Sequence, residues 1–190
     1  MEITRLSGSG IQVKTKNANF AVFSRVDKST KLDQSLDFAL STEAFQEIEK
    51  FGEEARLFSW SGEYEVKSVA VHAVNAEEEE KTLIFVIYAD EFKLCVLPKL
   101  KKEIHSDLVE KIGDVDVLIF NTQTEEKTIH SIIEEIEPKS VLPVSENGNS
   151  TEEDHLITKL GLPKSEAAAK IVIKAKSDLR SDQMGTFLLN

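Results

Sequence analysis

The chain has 190 residues, 41% of them hydrophobic, which is enough to bury a sizeable core and suits one domain spanning residues 1–190. A formal net charge of −11 excludes nucleic acid and anionic membrane surfaces as default partners, because neutralising phosphate takes an excess of Lys and Arg. The single Cys95 excludes an intramolecular disulfide, and there is neither a run of roughly 18 apolar residues nor a signal-peptide start, so a soluble cytoplasmic protein is expected.

Residues 1–23 hold three short strand-like runs, 3–6, 11–15 and 20–23, broken by Ser7-Gly8-Ser9-Gly10 and Lys16-Asn17. This spacing predicts an antiparallel meander. A polar stretch, 24–35, leads into a strand over 36–40. Ser41 is then the expected N-cap of a helix over 42–50, with Glu43 in its first turn, where the helix dipole favours an acid. Strands follow at 55–58, 62–66, 69–74 and 82–88, the last two forming a hairpin candidate around the solvated acidic run 77–80.

Beyond residue 92 the pattern changes. Three apolar runs, 93–97, 115–120 and 140–144, are separated by two amphipathic segments: 101–112, where Ile104, Leu108 and Ile112 recur every fourth residue, and 125–136, where Ile129, Ile132, Ile133 and Ile136 form one stripe. Strand, helix, strand, helix, strand predicts a sheet buried on both faces, with the ends of its strands available for chemistry. A further helix is expected over 152–160, with Ser150-Thr151-Glu152-Glu153 as a capping box and Gly161 with Pro163 as its stop. Short strands are expected at 171–174 and 186–189.

Several local phrases stand in a familiar order: the opening Met1-Glu2-Ile3-Thr4, then Gly62-Glu63-Tyr64-Glu65-Val66, Ile112-Gly113-Asp114-Val115-Asp116-Val117-Leu118, and Ile136-Glu137-Pro138-Lys139-Ser140-Val141-Leu142-Pro143. In this order the chain resembles the metallo-β-lactamase fold, in particular the small bacterial metal-dependent hydrolases related to the ascorbate-phosphate lactonases. The resemblance implies an α/β protein built as a four-layer α/β-β/α sandwich. It also implies a histidine-x-histidine-x-aspartate-histidine turn, because imidazoles and a carboxylate from one turn can hold two divalent ions and generate a hydroxide.

By position, however, Thr42, Ala44 and Glu47 stand for the histidines of that turn and Gln46 for its aspartate. Lys99 stands where a bridging aspartate is expected, Ser145 where a ligand histidine is expected, and Phe23 where an aspartate is expected. The glycine-histidine-serine turn reads Ser7-Gly8-Ser9. The metal motif is thus degenerate, and the resemblance implies a metal-free pseudoenzyme with no cofactor. Lys99 is expected to be partly buried and to form an ion pair with Glu47 or Glu43 that closes the vacated ground.

The remaining polar residues read as structural. His72, His105, His130 and His155 have no second histidine within four residues, and His130 with Glu134 is an ordinary exposed i, i+4 pair. Ser41, Ser145 and Cys95 lack the context of an activated nucleophile. Ser7 to Gly10 reads as a tight turn without the spacing or the lysine of a phosphate loop. Glu63 and Tyr64 either fix a turn, with Tyr64 packed between the sheets, or with Glu43 line a pocket. Three functions remain: a non-catalytic binding, regulatory or assembly component, a hydrolase with altered ligands that uses Glu43, Glu47 or Glu146 on a hard ion such as Mg²⁺, or an unrelated α/β binding protein. The expected partner is a protein or a small molecule, and a homo-oligomer is left open.

Overall fold

Strand direction and side-chain alternation together build two facing sheets in the computed structural model, which describes residues 1–6, 10–24, 35–43, 56–76, 82–146, 148–179 and 184–190. The first sheet contains β1 (Glu2–Arg5), β2 (Ile11–Lys14), β3 (Asn19–Phe23), β4 (Phe38–Ser41), β5 (Arg56–Phe58) and β12 (Lys170–Val172), in the order β12-β1-β2-β3-β4-β5. The expected meander is present as the antiparallel pairs β1/β2 and β2/β3, whereas β3, β4 and β5 run parallel.

The second sheet contains β6 (Gly62–Val66), β7 (Val69–Asn75), β8 (Leu83–Ala89), β9 (Phe92–Leu97), β10 (Val117–Asn121), β11 (Ser140–Val144) and β13 (Gly185–Thr186), in the order β13-β11-β10-β9-β8-β7-β6. β7 and β8 form the expected hairpin, and β9, β10 and β11 lie parallel. Two crossover helices join these parallel strands: α1 (Ser106–Ile112) and α2 (Glu126–Ile136). α3 (Ser150–Lys159) follows β11. No described helix is long and apolar enough to cross a membrane.

Burial on both faces explains why residues 94–97 of β9 and 117–120 of β10 are apolar. Leu94, Val96, Val117 and Ile119 point into the core between the sheets, where they join Phe20, Phe38 and Phe85. Cys95, Leu97, Leu118 and Phe120 point the other way, against Ile112, Ile129, Ile132 and Ile136 of the helices. Phe20 and Phe38, paired across β3 and β4, stack with ring centroids 4.8 Å apart. On the outer face of the first sheet, Ala21, Phe23, Leu36, Ala39 and Leu57 form a smaller cluster. The layer expected to cover it includes the helix assigned to 42–50, of which residues 44–50 lie outside the described residues.

Four local expectations are corrected. Ser41 is not an N-cap: it ends β4, its hydroxyl donates to the Glu43 carbonyl at 2.9 Å, and Glu43 forms an antiparallel bridge with Thr82. The helix predicted over 101–112 starts only at Ser106, because the Leu100 N–H is held by Thr124 Oγ1 at 3.0 Å and fixes the preceding loop against α2's start. α3 is capped by Asn149, whose side chain accepts from Thr151 N at 3.1 Å, and the Glu153 of the supposed capping box turns inward instead. The strand expected at 186–189 shrinks to β13, with Leu189 bridging Ala168.

Candidate functional site

β3, β4, β9, β10 and β11 all end at the same pole of the sandwich, and the residue just past each end is where the fold can gather polar side chains. Thr42 continues the β3/β4 ladder: its N–H donates to the Phe23 carbonyl at 2.9 Å and its hydroxyl to the Ser24 carbonyl at 3.1 Å. Its own carbonyl accepts the Leu83 N–H at 2.7 Å, which ties the first sheet to the second. Across the gap, Asn121 Nδ2 donates to Ser24 Oγ at 3.3 Å.

Between these ends lies a small cavity of about 20 Å³, lined among others by Phe23, Ser24, Thr42, Leu97, Asn121 and Val144. That is room for about one water molecule. Two divalent ions need a shell of imidazoles and carboxylates at roughly 2.0–2.2 Å. The described part of the cavity wall offers hydroxyls, an amide and hydrocarbon, so the described residues do not fit a two-metal centre. Among the described residues no group of three or more His, Cys, Asp and Glu could hold a metal ion.

Lys99 is exposed, and its ammonium donates to Gln123 Oε1 at 2.7 Å. The Gln123 backbone N–H in turn donates to Asn121 Oδ1 at 2.8 Å, so Gln123 stands between the cation and the cavity wall. The expected partial burial is therefore corrected: the β9 strand ends at Leu97 and the chain turns outward before Lys99. Glu47, Ala44 and Gln46 lie outside the described residues. Because Lys99 is exposed, Lys99→Met is expected to change stability by less than about 1 kcal/mol in urea unfolding. A larger loss would mean a buried partner.

Ser145, where the resemblance leads one to expect a ligand histidine, is fully buried. Its N–H and hydroxyl both donate to Glu153 Oε1, at 2.8 and 2.9 Å, and its oxygen accepts the Asn149 N–H at 2.6 Å. Arg5 Nη2 donates to the two carboxylate oxygens of Glu153 at 2.7 and 2.6 Å and to the Leu189 carbonyl at 2.8 Å. The ground behind Ser145 is thus filled by an internal ion pair that joins β1, α3 and the segment after β13.

Glu63 and Tyr64 do not line this cavity. Tyr64 sits at the β6 edge, its hydroxyl donating to the Trp60 carbonyl and its ring 4.5 Å from that of Phe58. Partial burial pushes its phenol above the usual range. Glu63 is exposed beside His72, 3.7 Å away. His130 and Glu134 are 3.3 Å apart on the exposed face of α2. Burial pushes the Cys95 thiol up to about 12, far from a nucleophile's range.

Sequence reasoning missed Ser24, Asn121, Gln123, Arg5 and Glu153. Asn121 carried a usable signal, as the first polar residue after the apolar run of β10. Arg5 and Glu153 carried none, being 148 residues apart.

Comparison with known proteins agrees with this geometry. No curated protein sequence matches the chain. Among solved structures, a candidate Zn-dependent hydrolase of the metallo-β-lactamase superfamily from Thermotoga maritima superposes with a TM-score of 0.76 at 14% identity, covering 100% of this chain and 99% of that one. The metallo-β-lactamase fold protein YhfI from Bacillus subtilis gives 0.60 at 8% identity, over 99% and 96% of the two chains. Igni18, a metallo hydrolase from Ignicoccus hospitalis, gives 0.58 at 10%, over 91% and 99%. At these identities the likeness is one of fold. A family profile described as the beta-lactamase superfamily domain matches residues 29–145, more than half of the chain. The chain belongs to the beta-lactamase superfamily and has the metallo-β-lactamase fold.

Proposed function

We propose that this protein is a metal-free, non-catalytic member of its superfamily, a single domain acting in the cytoplasm as a binding, regulatory or assembly component. The observation that supports the reading is made of the described residues at the strand-end pole: a cavity of about 20 Å³ walled among others by Phe23, Thr42 and Asn121, with Ser145 committed to Glu153. Hydrolysis in this fold needs ligands that hold metal and a space where water meets substrate. The described strand ends supply neither.

Protein expressed in zinc- and manganese-supplemented medium is expected to purify with less than a tenth of a mole of either metal per chain, by elemental analysis. Its thermal unfolding should be unchanged by EDTA, because a site without ligands adds no binding free energy to folding. A broad screen with phosphodiester, lactone and thioester substrates should give no turnover. One mole of tightly held metal, or a drop of several degrees with EDTA, would sink the reading. Turnover that depends on Mg²⁺ and disappears in Glu43→Gln would replace it by the hydrolase with altered ligands.

A further inference from the structure

The opposite pole carries a cleft that no part of the metal-site geometry explains. It lies where β1 begins and β2 and β12 end, next to the β8–β9 turn, and measures about 780 Å³, within the range of small-molecule sites. Four lysines line it, Lys14, Lys16, Lys174 and Lys176, against three acids, Glu2, Asp90 and Glu91. Glu2 is paired with Lys170 at 2.9 Å, Asp90 with the Met1 ammonium at 3.7 Å and Lys176 with Asp116 at 3.3 Å, which leaves Lys14, Lys16 and Lys174 facing Glu91. In a chain of net charge −11, this is a local excess of positive charge.

The cleft also exposes hydrocarbon. Val172 is 47% exposed, one of three large hydrophobic side chains so exposed among the described residues, and it lines the same cleft as Phe92. The neighbouring cleft shares Asp90, Glu91, Phe92 and Lys176, but it is lined by six acids and three lysines. A negatively charged group is therefore repelled on one side and attracted on the other, which orients it toward Lys14 and Lys174.

We propose that this cleft binds a small amphiphilic anion, a carboxylate or phosphate held by Lys14, Lys16 and Lys174 with a short apolar part laid on Val172. The site is independent of the strand-end pole and stands whether or not that pole binds metal.

Amide shifts in ¹⁵N-labelled full-length protein test it with four probes: octanoate, octyl phosphate, inorganic phosphate and octyltrimethylammonium. Octanoate or octyl phosphate is expected to shift the amides of residues 14–16 and 172–176 at submillimolar to millimolar concentration, and the stronger of the two identifies the head group. Binding should weaken with added salt. Lys14→Glu with Lys174→Glu should weaken it at least tenfold, and Val172→Ser several-fold, with thermal midpoints unchanged because all three side chains are exposed. Equal binding of octyltrimethylammonium, shifts confined to another surface, or unchanged affinity in the folded double variant would each overturn the proposal. Inorganic phosphate binding as tightly as octyl phosphate would overturn its apolar half.

Discussion

Arg5→Met is expected to destabilise the protein by about 3–5 kcal/mol, the usual cost of removing one partner from a buried ion pair. Glu153 is fully buried and Arg5 nearly so, and after the substitution the carboxylate keeps only the two donors of Ser145. The guanidinium is itself imperfectly served. Its Nε and Nη1 are buried without a hydrogen-bond partner, so the pair recovers less than its full desolvation cost. Arg5→Met combined with Glu153→Met should therefore return close to wild-type stability, a coupling of several kcal/mol in a double-mutant cycle followed by urea unfolding. A single-variant loss under about 1 kcal/mol, or additive effects, would show that the pair is not what closes this pole.

The second large effect is at the other pole. Asp116→Asn is expected to cost about 1.5–3 kcal/mol at pH 7, the range for hydrogen bonds to a charged group. Burial pushes the Asp116 carboxyl up, but hydrogen bonds from Lys139, at 2.6 Å, and from the Lys93 N–H, at 2.9 Å, outweigh it and hold the group below its ordinary value of 3.8. Lys176 adds a second cation at 3.3 Å. A carboxyl with a depressed folded pKa contributes stability that is fully present above the unfolded value, about 3.9, and is lost as pH falls through the folded value. The deficit of the variant should accordingly be largest at neutral pH and shrink steadily below about pH 4. A deficit equal at pH 7 and pH 2.5 would assign the loss to shape rather than charge.

The periodicity of Ile129, Ile132, Ile133 and Ile136 and the apolar runs of β9, β10 and β11 made the second sheet and α2 legible, because one-face burial leaves a stripe and two-face burial leaves a continuous run. The meander of β1 to β3 was legible from its turns. The first residues after β4 were not, since Ser41 and Glu43 satisfy helix-start chemistry locally, and only the Glu43–Thr82 bridge to a strand forty residues away overrides it. The same holds at the candidate site. Order along the chain pointed to positions such as Thr42 and Ser145, but it carried nothing about what occupies the space around them. Lys99 illustrates the limit: its charge suggested an ion pair, whereas its direction depends on where β9 stops. Arg5 and Glu153 meet only through the three-dimensional path of the chain.

The placement of β1 also sets a time order on folding. β1 pairs on one side with β2, a few residues away, and on the other with β12, Glu2 lying opposite Val172. Arg5 further reaches Leu189, 184 residues along the chain. At roughly 5–20 residues per second of synthesis, β1 waits on the order of ten seconds or more for β12 to be made. During that interval the meander has an open edge at β1. Contacts of such long separation slow the closing step, since loop entropy is spent before they form. The β1 edge of the nascent chain is thus open to mispairing and to chaperone capture until the segment bearing β12 has been made and has docked.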